Sequence, residues 1–157
     1  MELLVALENT GIANAIRTIP WLYPAFETGH YIGLSLLVGG IMLIDLRVLG
    51  LARSLPLKSM IGLLPFVWAG FIINAITGSL LFIYGATSFG TNGAFLLKMG
   101  FMVLAGINAL LFDLSVRRSG GSWVAADRPP AVVKGFATAS LVFWLCVVTT
   151  GRWMAYL

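Results

Sequence analysis

The sequence predicts an all-α integral membrane protein, a four-helix bundle preceded by a short N-terminal amphipathic interfacial helix. Hydrophobic residues make up 59% of the 157 residues, and only 10% are charged. The mean hydropathy is +0.96. A soluble domain carries about 25% charged residues. Because four long apolar stretches leave no polar exterior, we expect residues 1–157 to form a single transmembrane domain.

The four predicted spans cover about residues 25–49, 61–84, 94–116 and 131–156. Each is long enough for a bilayer core of about 30 Å, which takes roughly 20 helical residues. The first connection contains Pro56, and the second, from Gly85 to Gly93, is uncharged and rich in small residues. The third ends in Pro129 and Pro130, which can begin a helix without loss of a hydrogen bond.

Residues 1–19 form a shorter helix candidate with an apolar stripe. The segment carries three charges, and Glu2, Asn9 and Arg17 lie toward the other side of the helix. A segment of this length and charge favours a position along the membrane interface rather than across it. The stripe consists of Leu4, Leu7, Ile12, Ile16 and Ile19.

Basic residues predict the orientation of the spans. The first connection contains Arg53 and Lys58, the third contains Arg117, Arg118 and Arg128, and the second contains none. The positive-inside rule therefore places the first and third connections in the cytoplasm and both termini outside. The net charge of +4 belongs to these short loops and does not indicate nucleic-acid binding.

Four ionisable residues lie at or just inside the outer ends of the predicted spans: Glu27, His30, Lys98 and Arg152. Ionisable groups in membrane segments are costly and usually mark a function. Glu27 and His30 are three residues apart and so share a helix face. His30 is the only histidine in the chain. We therefore expect these residues to form one polar layer near the outer face.

A neutral histidine in this layer suggests a redox cofactor. His30 is a candidate metal ligand to the iron of haem b, with Lys98 and Arg152 neutralising the propionates. Because one histidine supplies only one axial bond, the second ligand comes from another protomer, from Met102, or is absent. Alternatively, His30 and Glu27 bind a quinone or relay protons.

Other interpretations use the same residues. Glu27 pairs with Lys98 or Arg152, and the basic side chains extend outward to the interface. The two cations can also form a pocket for a small anion or a lipid headgroup. A structural subunit of a larger membrane complex, with other redox subunits as partners, is a third hypothesis. The sequence has no phosphate-binding loop or nucleophile elbow, so it assigns no enzymatic reaction.

Small residues predict close helix contacts. Gly29 and Gly33 flank His30, and Gly70, Asn74 and Gly78 form a second series. Such spacing favours tight packing within a bundle or between protomers, so we expect a homo-oligomer. The glycines also leave room beside His30 for a partner helix or a flat cofactor.

Acidic residues near the cytoplasmic helix ends predict ion pairs. We expect Asp45 or Asp113 to pair with Arg47 or Arg117. Asp45 lies on about the same helix stripe as His30, roughly 22 Å away. A proton path between them would need mid-depth polar groups, for which Asn74, Thr77 and Asn108 are candidates.

Several of these residues carry a resemblance to a known family. The sequence resembles a domain-of-unknown-function family of small bacterial four-span membrane proteins, which implies a bacterial inner membrane location and no particular activity. It is also loosely similar, in architecture and in His30, to four-helix b-type cytochromes that exchange electrons with quinones. Those proteins hold several histidines, and this chain has one. The family resemblance is carried by His30–Gly33, Gly40, Asp45–Gly50, Pro65, Gly78, Phe82, Phe95, Lys98 and Asn108.

Overall fold

The computed structural model describes residues 1–154 and 156, which form helices and connecting turns without a strand. Four helical segments are apolar and long enough to cross a membrane, and they span residues 22–49, 57–84, 93–118 and 131–153. This confirms the predicted all-α, four-span architecture of a multi-pass membrane protein. The helices are α1 (Glu2–Glu8), α2 (Gly11–Thr18), α3 (Leu22–Leu49), α4 (Leu57–Ile61), α5 (Leu64–Tyr84), α6 (Ala86–Thr91), α7 (Gly93–Arg118), α8 (Ser122–Ala125) and α9 (Ala131–Trp153).

Local sequence signals explain most of the long helix boundaries. α3 ends where Gly50 adopts a left-handed conformation with φ of 102°, which glycine tolerates without strain. The Asn92 side chain caps α7 by accepting a hydrogen bond from the Phe95 amide at 3.1 Å. The second span is divided by a turn before α5, whose first turn contains Pro65. The fourth predicted span reached residue 156, but α9 ends at Trp153, and residue 155 lies outside the described part.

The predicted N-terminal helical segment is present, and within residues 1–19 it consists of two short helices. The segment divides into α1 and α2 because Thr10 caps a new helix there. Thr10 has an extended backbone, and its hydroxyl oxygen accepts a hydrogen bond from the Ala13 amide at 3.3 Å. Threonine competes for the backbone in this way and therefore favours a helix start over a helix interior.

The two N-terminal helices fold onto the end of the bundle that carries the second connection. Ala13 is fully buried, and Ile16 is nearly so. The Arg17 guanidinium donates to the Tyr84 carbonyl at 2.9 Å, and the Thr87 hydroxyl donates to the Glu8 carboxylate at 2.6 Å. We call this end, which also carries the end of α9, the terminus end. The opposite end, with the first and third connections, is the basic end.

The four long helices form two pairs joined in the middle. α3 packs most extensively against α5, α7 packs against α9, and α3 contacts α9 across the centre. The buried apolar core includes Leu37 and Ile44 of α3, with Val67 of α5 and Trp144 of α9. α5 and α7 are the outer members of the two pairs, and a cleft separates them along part of their length.

A buried arginine connects the two loops of the basic end. The Arg47 side chain is only 4% exposed and donates two hydrogen bonds to the Asp127 carboxylate, at 2.7 and 2.6 Å. Its Nε donates to the Leu55 carbonyl at 2.6 Å. The expected pairing of Asp113 with Arg117 is confirmed at 2.6 Å. We expected Arg47 to pair with Asp45 or Asp113 at a helix end. It pairs instead with Asp127, which belongs to the third connection.

Candidate functional site

Close approach of α3 and α5 forms the surroundings of His30. A Cβ atom on Gly33 would lie 2.7 Å from the Asn74 side chain, and one on Gly70 would lie 2.6 Å from the Leu37 amide nitrogen. Neither position therefore tolerates a side chain without movement of the helices. The predicted glycine series form one interface within the chain, which we call the α3/α5 seam. They no longer argue for a homo-oligomer, which stays a prediction.

Two consecutive residues of α5 position the His30 ring. Nδ1 of His30 lies 3.0 Å from the Thr77 hydroxyl. A Cβ atom on Gly78 would lie 3.2 Å from Cε1 of the same ring, so the absence of a side chain there makes room for the imidazole. The ring is half-buried and held against α5.

The Thr77 hydroxyl also decides which ring nitrogen carries the proton. This hydroxyl donates its single hydrogen to the Ile73 carbonyl at 2.7 Å. With that hydrogen engaged, the hydroxyl accepts from His30, and we assign the proton of the neutral ring to Nδ1. Nε2 then keeps a free lone pair, the state required of a metal ligand or a proton acceptor.

The other members of the predicted layer separate. The stem of Lys98 lies against α9, since a Cβ on Gly151 would be 3.6 Å from its Cδ and Cε. Its Nζ would lie 3.7 Å from the same Cβ atom, so the ammonium group also lies beside α9. Arg152 instead extends outward and donates to the Tyr156 hydroxyl at 2.7 Å.

Glu27 does not form the predicted ion pair. Within residues 1–154 and 156, no cationic group lies within 4.0 Å of its carboxylate. Glu27 is half-buried, one turn before His30 on α3. His30, Lys98 and Glu27 thus remain a candidate site, whereas Arg152 belongs to the exposed interface.

Met102 belongs to a different part of the molecule. It lines the cleft between α5 and α7, whose lining within the described residues does not include His30. The role of Met102 as a second axial ligand to a haem on His30 therefore gains no support. We call this space, lined by Asp45, Trp68, Met102, Gly106, Asn108, Asp113, Ser140, Trp144 and apolar neighbours, the α5/α7 cleft.

The expected ion pair of Asp45 does not form either. Asp45 is 4% exposed, lines the α5/α7 cleft, and its Oδ2 has no hydrogen-bond partner among the described residues. Arg47 points to Asp127 instead, because residues two apart on a helix face different directions. Thr77 and Asn74 lie in the α3/α5 seam, and Asn108 donates to the Phe136 carbonyl at 3.0 Å. These three polar groups are thus held at helix contacts.

Sequence reasoning missed the orienting role of Thr77 and the isolation of Asp45. Predicting the role of Thr77 requires the register between α3 and α5, for which the glycine spacing was the available signal. Predicting the isolation of Asp45 requires only helical geometry, because Asp45 and Arg47 are separated by about 200° around the helix.

The fold and these sites define a helical multi-pass membrane protein with a positioned intramembrane histidine. A family model described as a family of unknown function, DUF6644, matches residues 8–157. The match covers nearly the whole chain, and the protein belongs to this family. No curated protein matches. No solved structure matches either.

Proposed function

We propose that the protein is a membrane-embedded binding protein for a redox cofactor of the quinone type, with His30 as the central ligand-binding group. The observation that carries this proposal is the 3.0 Å contact between His30 Nδ1 and the Thr77 hydroxyl, whose hydrogen bond to Ile73 favours the tautomer that leaves Nε2 as an acceptor. A hydrogen bond that orients a histidine in this way is typical of a ligand residue.

The residues fit a quinone headgroup in both redox states. When bound, a quinone supplies two-electron, two-proton chemistry. Nε2 of His30 accepts a hydrogen bond, as the hydroxyl of a quinol requires. The Lys98 ammonium donates one, as the carbonyl of a quinone requires. Glu27, one turn from His30, is a further acceptor for a released proton.

Haem b fits the same position less well. The space that glycines leave beside His30 is filled by α5, at Asn74, Ile73 and Thr77. The chain also supplies a single histidine, so a haem would need a ligand from another protomer or an open coordination site. We therefore keep haem b as the second form of the redox proposal.

Basic residues of the loops support an orientation for this site. Arg53, Lys58, Arg117, Arg118 and Arg128 all belong to the basic end. The positive-inside rule puts that end in the cytoplasm of a bacterium and puts His30 near the outer face of the inner membrane. Electrons would then enter or leave the site through other membrane redox subunits.

Cofactor content of the purified protein tests the proposal. Quinones extracted from the wild-type protein and from His30→Ala are quantified by mass spectrometry, with Thr77→Val and Thr77→Ser as a matched pair. We expect quinone to co-purify with the wild type, to be lost in His30→Ala, to fall in Thr77→Val and to be kept in Thr77→Ser. Equal quinone in the wild type and His30→Ala would refute the quinone site.

An absorption spectrum tests the haem form. A Soret band in protein from haem-replete cells that disappears in His30→Ala would replace the quinone with haem b. A spectrum without that band excludes haem b at His30.

A further inference from the structure

A second candidate site lies in the α5/α7 cleft, away from His30. The cleft has a volume of about 130 Å³. An apolar cavity of about 150 Å³ holds one benzene molecule, so the enclosed part of the cleft takes about one ring and the rest of a ligand stays at its open edge. It uses none of the residues on which the proposed function rests.

The cleft contains a carboxylate that the protein itself leaves unneutralised. Asp45 is 4% exposed, and its Oδ2 has no hydrogen-bond partner among the described residues. The two arginines that could pair with Asp45 at this end of the bundle are engaged elsewhere, Arg47 by Asp127 and Arg117 by Asp113. A buried carboxylate without a cationic partner is costly, so a cation that enters the cleft gains a strong interaction.

Aromatic rings line the same cleft as this carboxylate. Trp144 of α9 and Phe112 of α7 are buried in the cleft, and Trp68 and Phe71 of α5 line it with their rings 5.8 Å apart in an edge-to-face arrangement. Aromatic faces attract organic cations, and the attraction increases when the cation loses its water. A carboxylate among aromatic rings therefore favours a cation with an apolar body.

The cleft opens sideways between two spans. Trp68 is 49% exposed and Phe71 is 40% exposed, because both stand at the open edge of α5. On the opposite edge α7 has Gly106, where an added Cβ would meet nothing within 4 Å. Since these edges lie within membrane-spanning helices, a ligand would enter from the lipid.

We infer that the α5/α7 cleft is a binding site for a small lipophilic organic cation, an amine or quaternary ammonium with one ring, held by Asp45 and the surrounding aromatic side chains. Ser140 lines the same cleft as Asp45 and adds a hydroxyl group to it. The site discriminates by charge, since an uncharged molecule of the same shape leaves Asp45 without a partner.

Direct binding to the full chain in lipid nanodiscs tests this site. The probe is benzyltrimethylammonium, and its uncharged isostere is neopentylbenzene, in which carbon replaces nitrogen. Calorimetry measures the affinity of each. Because a hydrogen bond or contact to a charged group contributes strongly, we expect Asp45→Asn to weaken probe binding by about ten- to hundred-fold. Glu2→Gln, which removes an exposed charge at the terminus end, leaves binding unchanged.

A second pair of variants tests the space rather than the charge. Gly106→Leu fills the cleft and keeps Asp45, whereas Gly100→Leu adds the same side chain to α7 outside the cleft lining. We expect the first to abolish probe binding and the second to preserve it. These two variants test the binding site even if circular dichroism shows that Asp45→Asn has lost its helical structure.

Several results would overturn the inference. They are equal binding of neopentylbenzene and the probe, unchanged affinity in Asp45→Asn, or unchanged affinity in Gly106→Leu. Displacement of the probe by an equal concentration of sodium would assign Asp45 to an inorganic cation instead. Loss of quinone in His30→Ala with normal probe binding would show that the two sites are independent.

Discussion

Glycines serve opposite purposes at the two boundaries of α5, where Gly70 of α5 meets α3 and Gly106 of α7 borders the cleft. Toward α3, Gly70 allows backbone contact, and a Cβ there would lie 2.7 Å from the Gly33 carbonyl oxygen. Toward α7, Gly106 faces open space across the α5/α7 cleft. At Gly70 the missing side chain lets two helices touch, and at Gly106 it leaves a space free. Small residues in a membrane helix therefore indicate a helix contact only where the opposite surface fills the space.

The largest expected effect is a difference in unfolding free energy between alanine substitutions at these two glycines. Gly70→Ala forces a methyl group against the backbone of α3, which no side-chain rotation relieves, so we expect a loss of about 2–3 kcal/mol in unfolding free energy. Gly106→Ala has space for its methyl group and replaces a flexible residue in a helix, so we expect a change between zero and a gain of about 1 kcal/mol. Unfolding in mixed detergent micelles, followed by circular dichroism, measures both.

Protein concentration makes that measurement more informative. If the α3/α5 seam is internal to the chain, the loss in Gly70→Ala does not depend on concentration. A loss that diminishes at high concentration, or equal effects of the two substitutions, would contradict the assignment of the seam.

The next largest expected effect concerns the polar side chains at the two boundaries of α5, Asp45 in the α5/α7 cleft and His30 at the α3/α5 seam. Asp45→Leu removes an unpaired buried carboxylate and fills part of the cleft, and we expect a gain of about 1–3 kcal/mol in unfolding free energy. His30→Leu removes the hydrogen bond to Thr77, and we expect a loss of about 1 kcal/mol. The same micelle titration compares them. A loss of stability in Asp45→Leu would mean that the carboxylate has a structural partner and would end the comparison.

A smaller effect concerns the His30 tautomer. Because His30 is the only histidine, [15N]histidine labelling gives the ring signals of one residue without assignment. We expect a protonated Nδ1 and an unprotonated Nε2 in the wild type and in Thr77→Ser, which keeps the hydroxyl. Thr77→Val removes the acceptor, so we expect a mixture of tautomers. A protonated Nε2 in the wild type would contradict the orienting role of Thr77.

The sequence was sufficient for the spans because length and hydropathy decide them locally. It also indicated that Gly33 and Gly70 lie at helix contacts, but it left open whether those contacts are within the chain or between protomers. The split of the N-terminal helix was readable from Thr10, a favourable capping residue, but the apolar stripe through both halves concealed it.

The polar sites could be predicted only in part because their partners are far apart in sequence. Arg47 pairs with Asp127 across 80 residues, and no local pattern favours that residue over Asp45. His30 contacts Thr77 across 47 residues, in a register that depends on how closely two glycine faces approach. The depth of Lys98 and Arg152 was predictable, yet their directions depend on the neighbouring Gly151 and Tyr156.

The smallest expected effect concerns the polar contacts that hold the N-terminal helices on the terminus end. Among the described residues, the α5/α7 cleft has no such contacts across its opening. The Thr87 hydroxyl and amide donate hydrogen bonds to the Glu8 carboxylate and, with the nearby charge of Arg17, lower the pKa of that carboxyl below its ordinary value of 4.5. A lowered pKa in the folded state means that the contact stabilises fully above pH 4.5 and is lost as the pH falls through the lowered pKa. We therefore expect amide hydrogen exchange in α1 and α2, corrected for intrinsic rates, to accelerate only when the pH falls through the lowered pKa of Glu8. Glu8→Gln cannot titrate, so its corrected exchange should not depend on pH there. Equal acceleration in the wild type and Glu8→Gln would show that another group holds the N-terminal helices in place.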